Sequence, residues 1–325
     1  MGATQMQETN EKISYEQLLG DLQTSSALIS DSRLGFLGHS STACVKVQDS
    51  VPPGTLTDRT ADIDQLNIVD QLERGLERNE FMLVFQPKLR VPEERLSGFE
   101  ASLRWRHPIH GILTPTSFIR DAENSGLSGR FTDFILEKAA ETLSDWAACK
   151  YTTLSLVISL SPQELTREDL PRKLIALLAS HAVDTAKLQI QLTESSESGP
   201  LDVLLAAVDS IRDTGVRVAI GDFGAGGWSP SILHRLAVDV LKIDRSLING
   251  IPESSEATNV LEVLVRIGQR LGKQIVIDGI ENEAQLTWTK NMSNVDCQGS
   301  YICMPVHAAQ IDDLVAGHGL AMSLR

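Results

Sequence analysis

Short apolar segments alternate with longer amphipathic segments from about residue 70 onward. Leu188–Thr193 alternates apolar and polar residues with the period of two that is typical of a half-buried β-strand. Other runs are apolar, short and bounded by turn residues, which also favours strands. The predicted strands are Phe81–Phe85, Gly98–Trp105, Leu154–Ser159, Leu188–Thr193, Val216–Ile220, Val238–Asp244, Gln274–Asp278 and a last one that contains Gln298 and Gly299.

Amphipathic helices are predicted between these strands. Leu201–Thr214 and Ala257–Leu271 are each followed by a glycine, where a helix C-cap is expected. In Phe131–Ala148 the apolar face is expected to consist of Leu136, Ala139, Ala140, Leu143 and Ala147.

The repeated alternation of strand and helix implies parallel strands joined by crossover helices. With a strand count near eight, it predicts an α/β fold of the (β/α)8 barrel type. A doubly wound open sheet is the alternative, but no GxGxxG loop follows the first strand.

Residues 1–70 have a different composition, rich in Ser, Thr, Asp and Gln. They predict a partly ordered extension or linker, with a short helix at Tyr15–Ile29 and a short strand at Cys44–Val47. Val51–Thr55 contains two prolines and a glycine and is expected to be a turn or linker. The barrel domain is then expected to span residues 71–325.

The net charge of -14 argues against nucleic-acid binding, which needs clustered Lys and Arg. Four cysteines without a CxxC pair favour neither a zinc site nor a disulfide framework. No apolar run approaches the ~20 residues of a membrane span, and polar residues follow Met1. A cytoplasmic location without membrane insertion is expected.

Polar side chains recur where the predicted strands end, the place where barrels carry their sites. Carboxylates, amides and a lysine at one mouth suit a divalent cation and a phosphate ligand. Taken singly, each residue could be a helix cap or half of an ion pair. The candidates are Glu100, Ser159, Gln191, Glu194, Gly221, Asp222, Lys242, Asp244, Asp278, Glu281 and Gln298.

The segment Glu100–Trp105, followed by His107 and Pro108, resembles the signature of the EAL family, with Ser102 in place of the usual Leu. Further blocks on both sides of this signature are similar to those of the family and occur in the family's order over about residues 75–315. They are Phe85–Pro87, Thr193–Ser195, Asp222–Gly226, Lys242–Asp244, Asp278–Glu281 and Gln298-Gly299. The resemblance implies a modified TIM-type (β/α)8 barrel with an N-terminal extension, of the kind that hydrolyses cyclic di-GMP with two metal ions.

The metal-ligand positions that the resemblance implies are only partly kept. The retained residues are Glu100, Asp222 and Lys242. The replaced positions are Ser159 for Asn, Gln191 for Glu, Gly221 for the first of two aspartates and Asp278 for Glu. Changes merely around metal ligands cost ~10–100-fold in affinity or activity. We therefore expect no bound metal, no catalytic residues and no cofactor, with Mg or Mn needed only if residual phosphodiesterase activity exists.

The ligand-contacting positions that the resemblance implies survive better. Arginine suits a bidentate phosphate contact, and a carboxylate suits the guanine edge. The expected ligand-binding residues are Gln86, Glu100, Arg104, Asp222, Asp278, Glu281 and Gln298.

An inactive cyclic-di-GMP receptor that regulates signalling through a protein partner is the function expected first. A nucleotide-independent protein-interaction regulator is the alternative, and a weak cyclic-di-GMP phosphodiesterase is the second alternative. A homodimer is also considered.

Overall fold

A computed structural model of the protein describes residues 67–91, 93–193, 199–226, 228 and 230–319. The helix predicted at Tyr15–Ile29, the strand at Cys44–Val47 and the turn at Val51–Thr55 lie outside these residues. So do Glu194 and Ser195, which the sequence places at the end of the fourth predicted strand.

The strands of the described residues form a closed barrel. Its order is β1-β2-β4-β5-β6-β7-β8-β9, with β1 pairing to both β2 and β9, while β3 forms a hairpin on β2. The strands are β1 (Phe81–Val91), β2 (Arg95–His107), β3 (Gly111–Leu113), β4 (Ser155–Leu160), β5 (Leu188–Leu192), β6 (Arg217–Phe223), β7 (Val240–Ile243), β8 (Gln274–Ile277) and β9 (Val295–Cys297). The predicted barrel is confirmed.

The expectation that all barrel strands are parallel is wrong at β1, which runs antiparallel to both β2 and β9. Val91 and Arg95 are separated by only three residues, which allow a hairpin. A parallel crossover connection needs a dozen or more residues. From β2 through β9, the barrel strands pair in parallel.

Helices in the described residues cover the outside of the barrel. They are α1 (Ile68–Glu77), α2 (Ile119–Asn124), α3 (Ser128–Ala148), α4 (Pro162–Leu165), α5 (Leu170–Ser180), α6 (Leu201–Asp213), α7 (Pro230–Arg235), α8 (Ser255–Arg270), α9 (Glu283–Thr289) and α10 (Ile311–Gly319).

The buried face of α3 largely follows the sequence prediction. Leu136, Ala139 and Leu143 are buried as expected. Near the end of the helix, however, Trp146 is buried and Ala147 is exposed. Trp146 continues the face at i+3 from Leu143, and its ring packs against Phe99 of β2.

Successive residues of each strand point alternately to the helices and to the barrel interior. In β2, Phe99, Ala101 and Leu103 belong to the main hydrophobic core. Glu100 lies on the opposite face and reaches Lys242 of β7 inside the barrel. This alternation gathers polar side chains from several strands within the barrel, and it positions the candidate site.

Candidate ligand site at the barrel mouth

Lys242 links two carboxylates from different strands. Its Nζ lies 2.6 Å from Oε2 of Glu100 and 3.0 Å from Oδ2 of Asp278. Its side chain is only 8% exposed. The structure thus brings together three residues that the sequence proposes for one site.

Electrostatics keep Lys242 and Glu100 charged. Burial by itself raises the pKa of Glu100, but the charge of Lys242 and the hydrogen bond from it outweigh burial, so the pKa lies below its ordinary value. Burial likewise opposes the charge of Lys242, and Glu100 and Asp278 outweigh it and raise the lysine pKa. The ammonium and the Glu100 carboxylate therefore stay ionised together.

Two glutamines lie beside Glu100. Gln86 faces Glu100 across the antiparallel pair of β1 and β2. Gln298 donates from Nε2 to Oε1 of Gln86 over 3.0 Å, and Gln86 donates to the carbonyl of Cys303 over 3.2 Å. Gln298 is 1% exposed, and its Oε1 has no hydrogen-bond partner among the described residues. A buried acceptor in this state is poised to take a donor.

Gln191 and Gly221 share one space. A Cβ at Gly221 would lie 3.0 Å from Nε2 of Gln191 and 3.3 Å from its Cδ. The amide of Gln191 therefore fills the region that a side chain at position 221 would use. Ser159 lies beside Gln191 in the parallel pairing of β4 and β5.

Asp222 lies at an irregularity of β6, where the pairing to β7 shifts between Ile220 and Phe223. Its φ of 52° falls in the left-handed region, which is uncommon for a residue with a side chain. Burial raises the pKa of Asp222; Lys242 opposes this rise, while Asp244, among other carboxylates, adds to it. Such irregularities often re-aim a side chain beside a functional site.

The residues present do not fit two divalent cations. Mg²⁺ requires near-octahedral oxygen coordination. Of the three carboxylates that remain at these positions, Glu100, Asp222 and Asp278, two already bind an ammonium ion, namely Glu100 and Asp278. Among the described residues, no group of three or more His, Cys, Asp and Glu side chains is arranged to hold a metal ion.

Arg104 and Glu281 flank this cluster. Arg104 lies four residues beyond Glu100 on β2, and its Nη1 donates to Oγ of Ser102 over 2.7 Å and to the carbonyl of Leu103 over 2.8 Å. Glu281 follows β8 with an exposed side chain, and its backbone N–H donates to Oε1 of Gln285 over 2.8 Å. The sequence-based interpretation missed the contact of Ser102, which fills the unusual position of the signature.

Lys88 is a further residue that the sequence-based interpretation missed. It is 3% exposed, and burial lowers its pKa to about 8. Arg217 and Lys242 also lower this pKa, while Asp296 and Glu100 oppose them. The strand period of two could have predicted its burial, because it places Lys88 on the same strand face as Gln86.

The fold and the site define a closed α/β barrel that gathers carboxylates, amides and a buried lysine at the carboxyl ends of its parallel strands. Residues 69–305 match the EAL domain family. The chain therefore belongs to the EAL domain family. No helix among the described residues is long and apolar enough to cross a membrane.

Two relatives illustrate this membership. The bifunctional diguanylate cyclase/cyclic di-GMP phosphodiesterase MucR of Pseudomonas aeruginosa is 31% identical over 248 residues, which are 76% of this chain and 36% of the relative. The cyclic di-GMP phosphodiesterase NbdA of the same organism is 27% identical over 254 residues, 78% of this chain and 32% of that protein. The chain thus spans about a third of the length of these relatives.

Solved structures agree on the fold. The MucR phosphodiesterase in complex with c-di-GMP is 30% identical, with a TM-score of 0.70, over 75% of this chain and 99% of that one. The EAL domain of FimX from Pseudomonas aeruginosa, bound to c-di-GMP, is 21% identical, with a TM-score of 0.67, over 74% of this chain and 96% of that one. At this lower identity, FimX supports the fold alone.

Proposed function

We propose that this EAL domain binds cyclic di-GMP without a metal ion, does not hydrolyse it, and acts as a receptor that regulates signalling through a protein partner. The observation that carries the proposal is the ammonium of Lys242 bound to both Glu100 and Asp278. Part of their negative charge is neutralised within the protein, and a metal ion would have to compete with the lysine for both carboxylates.

The replaced positions support the absence of hydrolysis. Gln191 offers an amide oxygen without charge, and its side chain occupies the space beside Gly221. Ser159 presents a shorter side chain than an asparagine. Two-metal hydrolysis needs both ions to activate water and to stabilise the leaving oxygen. The loss of two carboxylates from one site removes charge that both ions require.

The mouth retains groups that suit a cyclic dinucleotide. Arg104 supplies a guanidinium for a phosphate, and exposed Glu281 can accept from the N–H groups of a guanine edge. The Oε1 of buried Gln298, which has no hydrogen-bond partner among the described residues, can accept a further N–H. The MucR relative has been solved with c-di-GMP, which favours the same ligand class here.

Isothermal titration with cyclic di-GMP tests the proposal when it is run in EDTA and again in Mg²⁺ or Mn²⁺. Saturable binding of similar affinity in both conditions is expected, with no linear dinucleotide detected by chromatography after overnight incubation. Metal-dependent linear product would instead establish the weak phosphodiesterase. The absence of binding in either condition would favour the nucleotide-independent regulator.

A matched pair of arginine variants locates the binding. Arg104→Ala should weaken cyclic di-GMP binding by ~10-fold or more, since a charge-assisted hydrogen bond contributes about 1.5–3 kcal/mol. Arg270→Ala removes an exposed arginine at the far end of α8 and should leave binding unchanged. Equal effects of the two variants would contradict the assigned site.

Light scattering with and without the ligand tests the homodimer.

A further inference from the structure

A basic cavity of about 170 Å³ lies at the opposite end of the barrel from the candidate site. Arg217 and Ser155 are the first residues of β6 and β4, and Lys187 immediately precedes β5. Arg90 lies near the end of β1, which reaches the same rim because β1 runs antiparallel. Together with Arg95 at the start of β2, these residues line the cavity.

Positive charge exceeds negative charge in this cavity. Arg90 pairs with Asp296, which is fully buried. Arg95, Lys187 and Arg217 form no salt bridge with any described residue. Three unmatched cations in a chain of net charge -14 are a local reversal of its charge. Cations that line one cavity repel one another, and an anion bound between them would relieve this repulsion.

Neutral groups hold two of these cations in place. Nη2 of Arg217 donates to Oε1 of Gln274 over 2.9 Å, and Gln274 donates from Nε2 to Asp296 over 2.7 Å. Lys187 donates from Nζ to the carbonyl of Thr152. The cations are thus positioned before any ligand arrives, which lowers the entropy cost of binding one.

We infer that this cavity binds a small phosphate-type anion. The volume exceeds the space of a single water, ~30 Å³. The planar donor fork of arginine matches the oxygens of a phosphate, and Lys187 adds a point charge. The site is independent of the cyclic-di-GMP proposal, because its lining residues lie at the opposite rim from Arg104 and Glu281.

Titration with inorganic phosphate and with pyrophosphate, at constant ionic strength set with sodium chloride, tests this inference on the full chain. Saturable heat is expected up to ~10 mM, where a Kd of about 1 mM would be well occupied. Arg95→Ala should weaken binding by about 10-fold or more, because it removes one charge-assisted contact to the anion. The substitution should leave the fold intact, because the Arg95 side chain has no partner among the described residues. Circular dichroism checks that the variant is folded.

Two control variants distinguish this cavity from other sites. Arg172→Ala removes an exposed arginine from α5 and should not change phosphate binding. Arg104→Ala reports instead on any phosphate that binds at the mouth. Binding that is lost in Arg104→Ala and kept in Arg95→Ala would overturn the inference, as would the absence of saturable binding in the unmodified chain. Tighter binding of GMP than of inorganic phosphate, lost in Arg95→Ala, would identify a nucleotide as the source of the phosphate group in this cavity.

Discussion

Replacing Lys242 by methionine tests whether the lysine, and not a metal ion, balances the carboxylates of the mouth. Methionine keeps much of the side-chain length and removes the charge. Glu100 and Asp278 then face each other without the ammonium that lies 2.6 and 3.0 Å from them. Their side chains are only 18% and 26% exposed, so water replaces the lost partner poorly.

The expected loss of stability is therefore that of a broken buried ion pair, about 3–5 kcal/mol. An exposed pair would contribute only about 0–1 kcal/mol. The two ranges do not overlap, so the measured free energy of unfolding decides between a buried cluster and a solvated one. Urea denaturation at pH 7, followed by circular dichroism, provides that measurement.

The pH dependence adds a second test. Without Lys242, burial is the dominant effect on Glu100 and raises its pKa above the ordinary value of 4.5. The unfolded chain then releases its proton at lower pH than the folded chain does. The free energy of unfolding should consequently fall as the pH rises from about 4.5, and the variant should be closest to the unmodified chain in acid.

A neutral triple variant provides the control. Adding Glu100→Gln and Asp278→Asn to Lys242→Met removes all three charges together, so most of the lost stability should return. The reasoning is refuted if Lys242→Met costs less than about 1 kcal/mol, or if the triple variant is no more stable than the single one. Added Mn²⁺ that rescued Lys242→Met would show that the carboxylates can accept a metal once the lysine is gone.

Three further predictions follow from the barrel interior. Burial lowers the pKa of Lys88 from 10.5 to about 8, so the free energy of unfolding should rise by about 3 kcal/mol as the pH increases from about 8 to 10.5. Urea denaturation at several pH values measures this rise, and Lys88→Met should abolish it. Gly98→Ala should destabilise the protein by at least about 2 kcal/mol in thermal unfolding, because the new Cβ would lie 2.1 Å from the carbonyl oxygen of Ser155. Gly129→Ala is the control and should be near neutral, because its Cβ would lie 3.6 Å from the nearest neighbouring atom. Restoring the metal-ligand positions should create Mn²⁺-dependent thermal stabilisation that the unmodified chain lacks, read by calorimetry in Mn²⁺ and in EDTA; the substitutions are Ser159→Asn, Gln191→Glu and Gly221→Asp.

The barrel could be predicted from the sequence because strand and helix periods differ and each recurs. The position of Glu100 could be predicted as well, because the alternation along its strand and the block Glu100–Trp105 both place this side chain inside the barrel. The direction of β1 could not be read in this way. Periodicity gives the faces of a strand and not its direction, which was set here by the three-residue connection between Val91 and Arg95.

Several features of the site depend on three-dimensional contacts that no spacing encodes. Gln191 and Gly221 are thirty residues apart, and the filling of one position by the other appears only when β5 and β6 lie side by side. The buried state of Lys88 was similarly hidden, since a lysine in a strand is usually solvated. Glu194, which the sequence places near these residues, lies outside the described part of the chain.

In the proposed function, the loss of metal ligands and the retention of ligand contacts are physically linked. A carboxylate ~8 Å from a phosphate repels it by about 2 kcal/mol at an effective dielectric constant of ~20. With two bound cations this repulsion is reversed; without them, each additional carboxylate weakens the binding of a ligand that carries two phosphates. Gln191 and Gly221 remove two such charges, and Lys242 neutralises part of what remains. In the proposed function, the same substitutions that remove metal ligands would therefore favour metal-free binding of the anion, and restoring the carboxylates should make the affinity for cyclic di-GMP depend on added Mn²⁺.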